Sequence, residues 1–101
     1  MKMVIQFDLD ADIVEVPDFI VENRELMKRR FWKWLSNKSI KHKYWVTSID
    51  SAGKKFLGLR YRGDAFVEWL NKKVLVQEDQ KAYIVEKHVR DYPKDMPSIF
   101  F

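Results

Sequence analysis

The chain contains no cysteine and only two histidines among its 101 residues. The first absence excludes a disulfide framework, a thiolate zinc site and a cysteine nucleophile, and suits a cytoplasmic setting. The second leaves little for a metal site, because His42 and His88 lie far apart in sequence and neither belongs to a ligand cluster. No apolar run approaches the roughly 20 residues of a membrane span. The opening residues, MKMVIQFDLDAD, turn acidic too early for a secretory hydrophobic segment. A soluble protein is expected. Serine and threonine residues lack a nucleophile elbow or an evident base, so no catalytic residue, metal or cofactor is assigned from the sequence.

What is present is enough for a core without staples: 47% of the residues are hydrophobic and 15% aromatic. The expectation is one compact domain over residues 1–91, followed by an extended C-terminal tail over residues 92–101 that contains Pro93 and Pro97. Charge is unevenly distributed. Residues 1–23 hold six acidic side chains and only Lys2 as a base, whereas residues 24–45 hold eight basic side chains against Glu25 alone. That basic middle can track phosphate, or it can be neutralised by the acidic beginning within the fold or in a neighbouring subunit.

The organising stretch is residues 18–36, DFIVENRELMKRRFWKWLS, which carries the clearest amphipathic helical pattern. At about 100° per residue, Ile20, Met27, Phe31, Trp34 and Leu35 share one arc and must face a core. Asp18 follows Pro17 and is placed to cap the first amides, while Arg29, Arg30 and Lys33 near the end suit the helix dipole. Trp32 falls off the arc, near Lys28 and Arg29, on a face where an aromatic can meet a base, a partner or a loop of its own chain.

Before this helix, residues 3–9 alternate with period two and read as a strand that residues 10–16 can extend. After it, residues 37–43 form a polar, basic connection. Residues 44–49 are rich in aromatic and β-branched side chains, and with the strand-like run 56–62 they flank the turn segment Asp50, Ser51, Ala52, Gly53, which predicts an antiparallel hairpin. Gly63 breaks that strand, and Asp64 can cap a second helix with Phe66, Trp69, Leu70 and Lys73 on one face. Residues 82–89 read as a final strand. The order strand, helix, strand, strand, helix, strand predicts an α+β domain of the ferredoxin-like split βαβ type (βαββαβ), an antiparallel sheet with two helices on one face. A winged-helix domain is the alternative, but it needs a helix pair ahead of its hairpin. The open sheet face would be closed by a partner, a nucleic acid, or the tail residues Ile99, Phe100 and Phe101.

Three short strings resemble known families. Phe7, Asp8, Leu9 and Asp10 resemble the first motif of the haloacid dehalogenase-like phosphotransferases, which implies a nucleophile at Asp8, an acid–base group at Asp10 and magnesium between them. Ala11, Asp12 and Ile13 replace the usual threonine-bearing turn of that motif. Phe7 and Asp8 at a strand end also resemble the CRISPR-associated ferredoxin-like nucleases. The run from Lys54 to Tyr61 partly resembles the third strand of RNA-recognition domains, without the early glycine and central aromatic. The spacing of Asp8, Asp10 and Asp12 opens like an EF-hand loop, yet Ile13 and Phe19 occupy the glycine and final glutamate positions.

The leading expectation is a small non-enzymatic binding or assembly module that acts through protein–protein contacts or as a homodimer, with Trp32 and the tail Ile99, Phe100 and Phe101 as anchors. The alternative is a nucleic-acid-binding accessory protein. In that reading Lys28, Arg29, Lys33, Lys38, Lys41 and Lys43 meet phosphate, and Trp32 or Tyr44 stacks on exposed bases. A metal-dependent phosphotransferase or nuclease built on Asp8 and Asp10 is the remote third.

Overall fold

Alternation at the start of the chain produces a strand that turns back on itself earlier than the pattern implies. In the computed structural model, which describes all 101 residues, β1 spans Lys2–Gln6 and pairs antiparallel with β2, Ala11–Glu15. The Phe7 amide donates to the Asp10 carbonyl at 2.8 Å and closes a tight turn where a single long strand is expected. The chain then enters α1, Asp18–Glu22, and α2, Arg24–Leu35. The one helix expected over residues 18–36 is interrupted at Asn23, whose side-chain amide donates to the Phe19 carbonyl at 2.8 Å. Asparagine competes with the helical ladder in this way. Asp18 makes no capping bond, and Pro17 occupies the cap position.

The expected hairpin forms as β3, Trp45–Ile49, and β4, Lys55–Leu59, paired Trp45 to Leu59 and Ile49 to Lys55. Helix α3, Gly63–Trp69, runs into a π-helical turn, Leu70–Val74. Strand β5, Tyr83–Val89, pairs antiparallel with β2, and β6, Ser98–Phe100, pairs parallel with β1. The main sheet is therefore ordered β5-β2-β1-β6, and β3-β4 is a second, separate sheet.

The class is α+β, with six strands in two sheets and three α-helices, but this is not the expected ferredoxin-like sheet. Both edges of β1 are filled, by β2 through the short turn and by β6 from the end of the chain, so β3 and β4 have no place beside it. The pair β1–β6 is also parallel. Residues read as an extended tail thus supply an edge strand.

One sheet face and the helices enclose the core. Met3, Ile5, Val14, Val16 and Ile99 meet Ile20, Met27, Phe31, Leu35, Phe66, Trp69 and Leu70. Phe31 sits at its centre, with ring centroids 5.3 Å from Phe66, 5.8 Å from Trp69 and 5.4 Å from Phe101. Edge-to-face pairs of this kind add about 0.5–1.5 kcal/mol each beyond area burial. The opposite face carries a smaller cluster, Val4, Ala11 and Ile13, against Val89, Tyr92 and Met96. No helix is long and apolar enough to cross a membrane.

Candidate nucleic-acid interface

The connection between α2 and β3 is polar in sequence, yet its own hydrogen bonds make it a shaped platform. Ser36 ends α2 by donating its hydroxyl to the Trp32 carbonyl at 2.7 Å. The ring of His42 is then held at both nitrogens: Nε2 lies 2.9 Å from the Leu35 carbonyl, and Nδ1 accepts the Tyr44 amide at 3.2 Å. A neutral ring with its proton on Nε2 satisfies both contacts. The Trp45 indole N–H donates to the Ile40 carbonyl at 3.2 Å. With those anchors in place, His42 stacks on Trp45 at 5.6 Å and 6°, and Trp34 lies 4.7 Å from His42, tilted by 34°. Three rings thus form a ladder, of which His42 and Trp45 are anchored by hydrogen bonds.

A groove of about 410 Å³ is lined by Trp34 and His42 of this ladder, with Trp45 outside the lining, and Lys41, Lys43, Lys72 and Lys73 border it. Its acidic member, Glu68, is committed internally. It accepts from Lys72 at 2.7 Å and from the Tyr44 hydroxyl in a short hydrogen bond, and Lys43 lies 3.4 Å away. Lys72, then Tyr44, hold its carboxyl down to about 2. Burial, then Glu68, push the Tyr44 hydroxyl up. Four ammonium groups against one carboxylate leave the groove cationic, and the aromatic floor gives it a π-surface.

Of the residues expected to bind, Lys41, Lys43 and Tyr44 line this groove together. Tyr44 is buried, so its ring supports the floor and does not present a face to a base. Lys28 and Trp32 are elsewhere, around an apolar depression of about 360 Å³ shared with Tyr61, Phe100 and Phe101. Trp32 is 46% exposed and leans on Tyr61 at 6.1 Å. Arg29, Lys33 and Lys38 are exposed outside both grooves. Of the tail residues, Ile99 is buried in the core, Phe101 packs on Phe7 and Phe31, and Phe100 alone faces solvent. Helical periodicity places Trp34 on the core face, against which it does pack, and nothing in the sequence marks Trp45, His42, Lys72 and Lys73 as functional. Only the approach of α3 and its π-turn to the 37–44 connection assembles them.

A second polar cluster ties the sheet to α3. Asp12, 1% exposed, accepts from Arg62 Nη2 at 2.8 Å, the Gly63 amide at 2.9 Å and the His88 amide at 3.1 Å. Burial pushes its carboxyl up, but Arg62 and the two amides outweigh this and leave it below the ordinary range. Asp10 pairs with His88 Nδ1 at 2.9 Å and Arg62 Nη1 at 2.8 Å, and His88 first, then Arg62, lower its carboxyl as well. The Arg62 contact is an ion pair whose angles do not suit a hydrogen bond. Arg62 also lies 4.4 Å over the Phe7 ring. His88 takes a left-handed φ of 56° where β5 bulges against β2. Asp10 and Asp12 are therefore spent on Arg62, His88 and backbone amides, and no three acidic or histidine side chains converge as metal ligands. Asp8 and Asp10 of the phosphotransferase-like string line one shallow pocket, in which Asp10 already pairs with Arg62 and His88.

Comparison of the chain with protein families, with curated proteins and with solved structures gave no match.

Proposed function

We propose that the chain binds nucleic acid through the groove between the 37–44 connection and the end of α3. Bases stack on Trp34 and His42, whose ring is held against Trp45, and phosphates meet Lys41, Lys43, Lys72 and Lys73. The observation that carries this reading is the coincidence of a locked aromatic floor with four bordering lysines. The wider charge distribution supports it. Of the eight basic side chains in residues 24–45, only Lys43 is ion-paired within the chain. Asp10 and Asp12 of the acidic beginning pair with Arg62 and His88, Glu15 and Asp18 pair with the Met1 ammonium, and none of these reaches the basic middle, which remains available to a polyanion.

Stacking contributes about 1–3 kcal/mol per base and tolerates any sequence, which favours exposed single strands. Four phosphate contacts imply a log–log salt slope of about −3 for a single strand. Fluorescence anisotropy of a labelled single strand of about 12 nucleotides at several salt concentrations tests this. Saturable, salt-weakened binding that falls about tenfold or more in K41Q/K43Q/K72Q/K73Q is expected. Absence of binding at low salt would overturn the proposal.

A protein–protein role is the second reading, favoured by the apolar depression that exposes Trp32 and Phe100. A homodimer through that surface would show as a concentration-dependent mass in light scattering, abolished by W32S.

A further inference from the structure

The β3–β4 ribbon stands apart from the main sheet and lengthens the molecule. The principal extents are 45 × 33 × 19 Å, and the radius of gyration is 14.7 Å, against about 13 Å for a compact chain of about 100 residues. A two-stranded hairpin alone is marginal in water, yet this one is closed by an ordered turn. The Asp50 amide donates to the Lys54 carbonyl at 2.9 Å, and Asp50 Oδ1 accepts from the Ala52 and Lys54 amides at 3.0 and 2.8 Å. Gly53, at φ 81°, supplies the left-handed residue that the turn requires.

The surface of this arm is not that of a solvent-facing hairpin. Ile49 is 65% exposed, Phe56 51% and Leu57 48%. Lys54 and Lys55 lie at the tip and Arg60 at the base, all exposed. The only acidic residue of the arm is Asp50, whose carboxylate holds the turn amides. Phe56 lies against Gly58, where a β-carbon would be 3.7 Å from the ring. The arm is thus a preformed cationic ribbon with exposed apolar side chains. It is also continuous with the lysine groove, since Lys41, Lys43 and Tyr44 lead directly into β3 and the Arg60 amide donates to the Tyr44 carbonyl at 2.9 Å.

A two-stranded β-ribbon fits the major groove of B-form DNA, about 12 Å wide, but not the deep, narrow major groove of an RNA helix. Apolar side chains on such an element can meet thymine methyl groups in that groove. From the charge of the arm and its continuity with the groove, we infer that the ligand is a DNA junction: a single strand seated in the groove, adjoining a duplex that the β3–β4 ribbon grips. This inference rests on the groove reading above. Five residues of strand span about 17 Å, equal to about five base pairs at about 3.4 Å each. The ribbon therefore reaches roughly that far into the duplex.

The test compares a labelled single strand of about 12 nucleotides with the same strand continued into duplex of about three, about six and about twelve base pairs, in both polarities. The overhang substrate should bind about tenfold more tightly than the strand alone, with the gain arising between the two shorter duplexes and flat beyond. K54Q/K55Q/F56S should remove the gain and leave single-strand affinity unchanged, which also shows that the variant is folded. The milder K54Q/K55Q, at two exposed tip positions, should reduce the gain several-fold. An overhang that binds no better than the single strand, or a gain that survives both variants, overturns the junction inference and leaves the groove reading intact. Failure of the single strand itself to bind refutes the groove reading and the inference with it.

Discussion

Replacing Asp12 by alanine should remove about 3 kcal/mol of stability, because this carboxylate is the shared acceptor for three segments. The Gly63 amide is buried and has Asp12 Oδ2 as its acceptor at 2.9 Å; leaving such a donor unpaired costs about 1–3 kcal/mol. The His88 amide, at 3.1 Å, loses its acceptor too. Arg62 loses less, since its side chain is 32% exposed and keeps Asp10 as a partner. The sum therefore falls near the lower end of the about 3–5 kcal/mol lost when a buried ion pair is broken from one side. In a domain of this size that is a fall in Tm of about 15 °C. Urea melts followed by tryptophan fluorescence, from about pH 7 to about pH 3, measure it and add a second readout. The carboxyl of Asp12 lies lower in the folded chain than in the unfolded one. Its stabilisation is thus present above the unfolded value of about 3.9 and is lost as pH falls through the folded value. The gap between the native chain and Asp12→Ala should be widest near neutral pH and narrow below about pH 4. The charged and titratable groups around Asp12 are Arg62, His88, Lys87 and Asp64, with Asp10 on the same Arg62 guanidinium, and all are present in both proteins. A gap under about 1 kcal/mol at neutral pH, or one that widens on acidification, would refute this account.

Two further substitutions probe the same packing. Gly63→Ala would place a β-carbon 2.8 Å from Asp12 Oδ2 and 2.9 Å from its β-carbon, a clash expected to cost about 2 kcal/mol; the double variant with Asp12→Gly, which removes both atoms, should lose clearly less than the sum of the two single variants, and strict additivity in urea melts would count against direct contact. Phe101→Ala removes a ring that lies 5.4 Å from Phe31, 6.2 Å from Phe7 and 5.9 Å from Tyr61; as the residue is partly exposed, a loss of about 2 kcal/mol is expected, and a variant as stable as the parent would show that the ring contributes little to the core.

The parts of the fold that could be read from the sequence are those specified by neighbours. The β3–β4 hairpin carries its turn chemistry in Asp50 and Gly53, and α2 carries its buried face at Met27, Phe31 and Leu35. The hairpin of β1 and β2 was not legible, because its turn, Phe7 to Asp10, lacks glycine, proline and asparagine. Its closing residue, Asp10, is held by Arg62 and His88, partners more than fifty positions away in the chain. A run of buried residues on both faces of β1 and β2 then reads as one long strand. Once that turn is missed, the filled edges of β1 cannot be foreseen, and a four-stranded split βαβ sheet becomes the economical solution. Asp64 was the expected cap of α3, yet its carboxylate reaches only the neighbouring Ala65 amide, and the first helical amide, of Gly63, is met by Asp12 from β2. A capping residue supplied by another element leaves no local signature.

The site divides along the same line. The basic run in residues 24–45 is conspicuous as composition, but helical geometry disperses it. Lys28 goes with Trp32 to the apolar depression, Arg29 and Lys33 project to solvent, and only Lys41 and Lys43 reach the groove. The two lysines that complete the groove come from the π-turn after α3, where the widened turn carries Lys72 and Lys73 past Trp69. Trp34 shares the apolar arc of α2 and so reads as core, but it lies past Phe31 at the end of the helix, where the core gives way to the 37–44 connection. There one ring face meets His42 in place of the sheet. The aromatic ladder is thus a consequence of where α2 stops: Ser36 returns its hydroxyl to the Trp32 carbonyl, the Leu35 carbonyl is left free for His42, and that one hydrogen bond orients the ring on which Trp34 and Trp45 both rest. The helix that builds the core also ends at the place where the proposed binding surface begins.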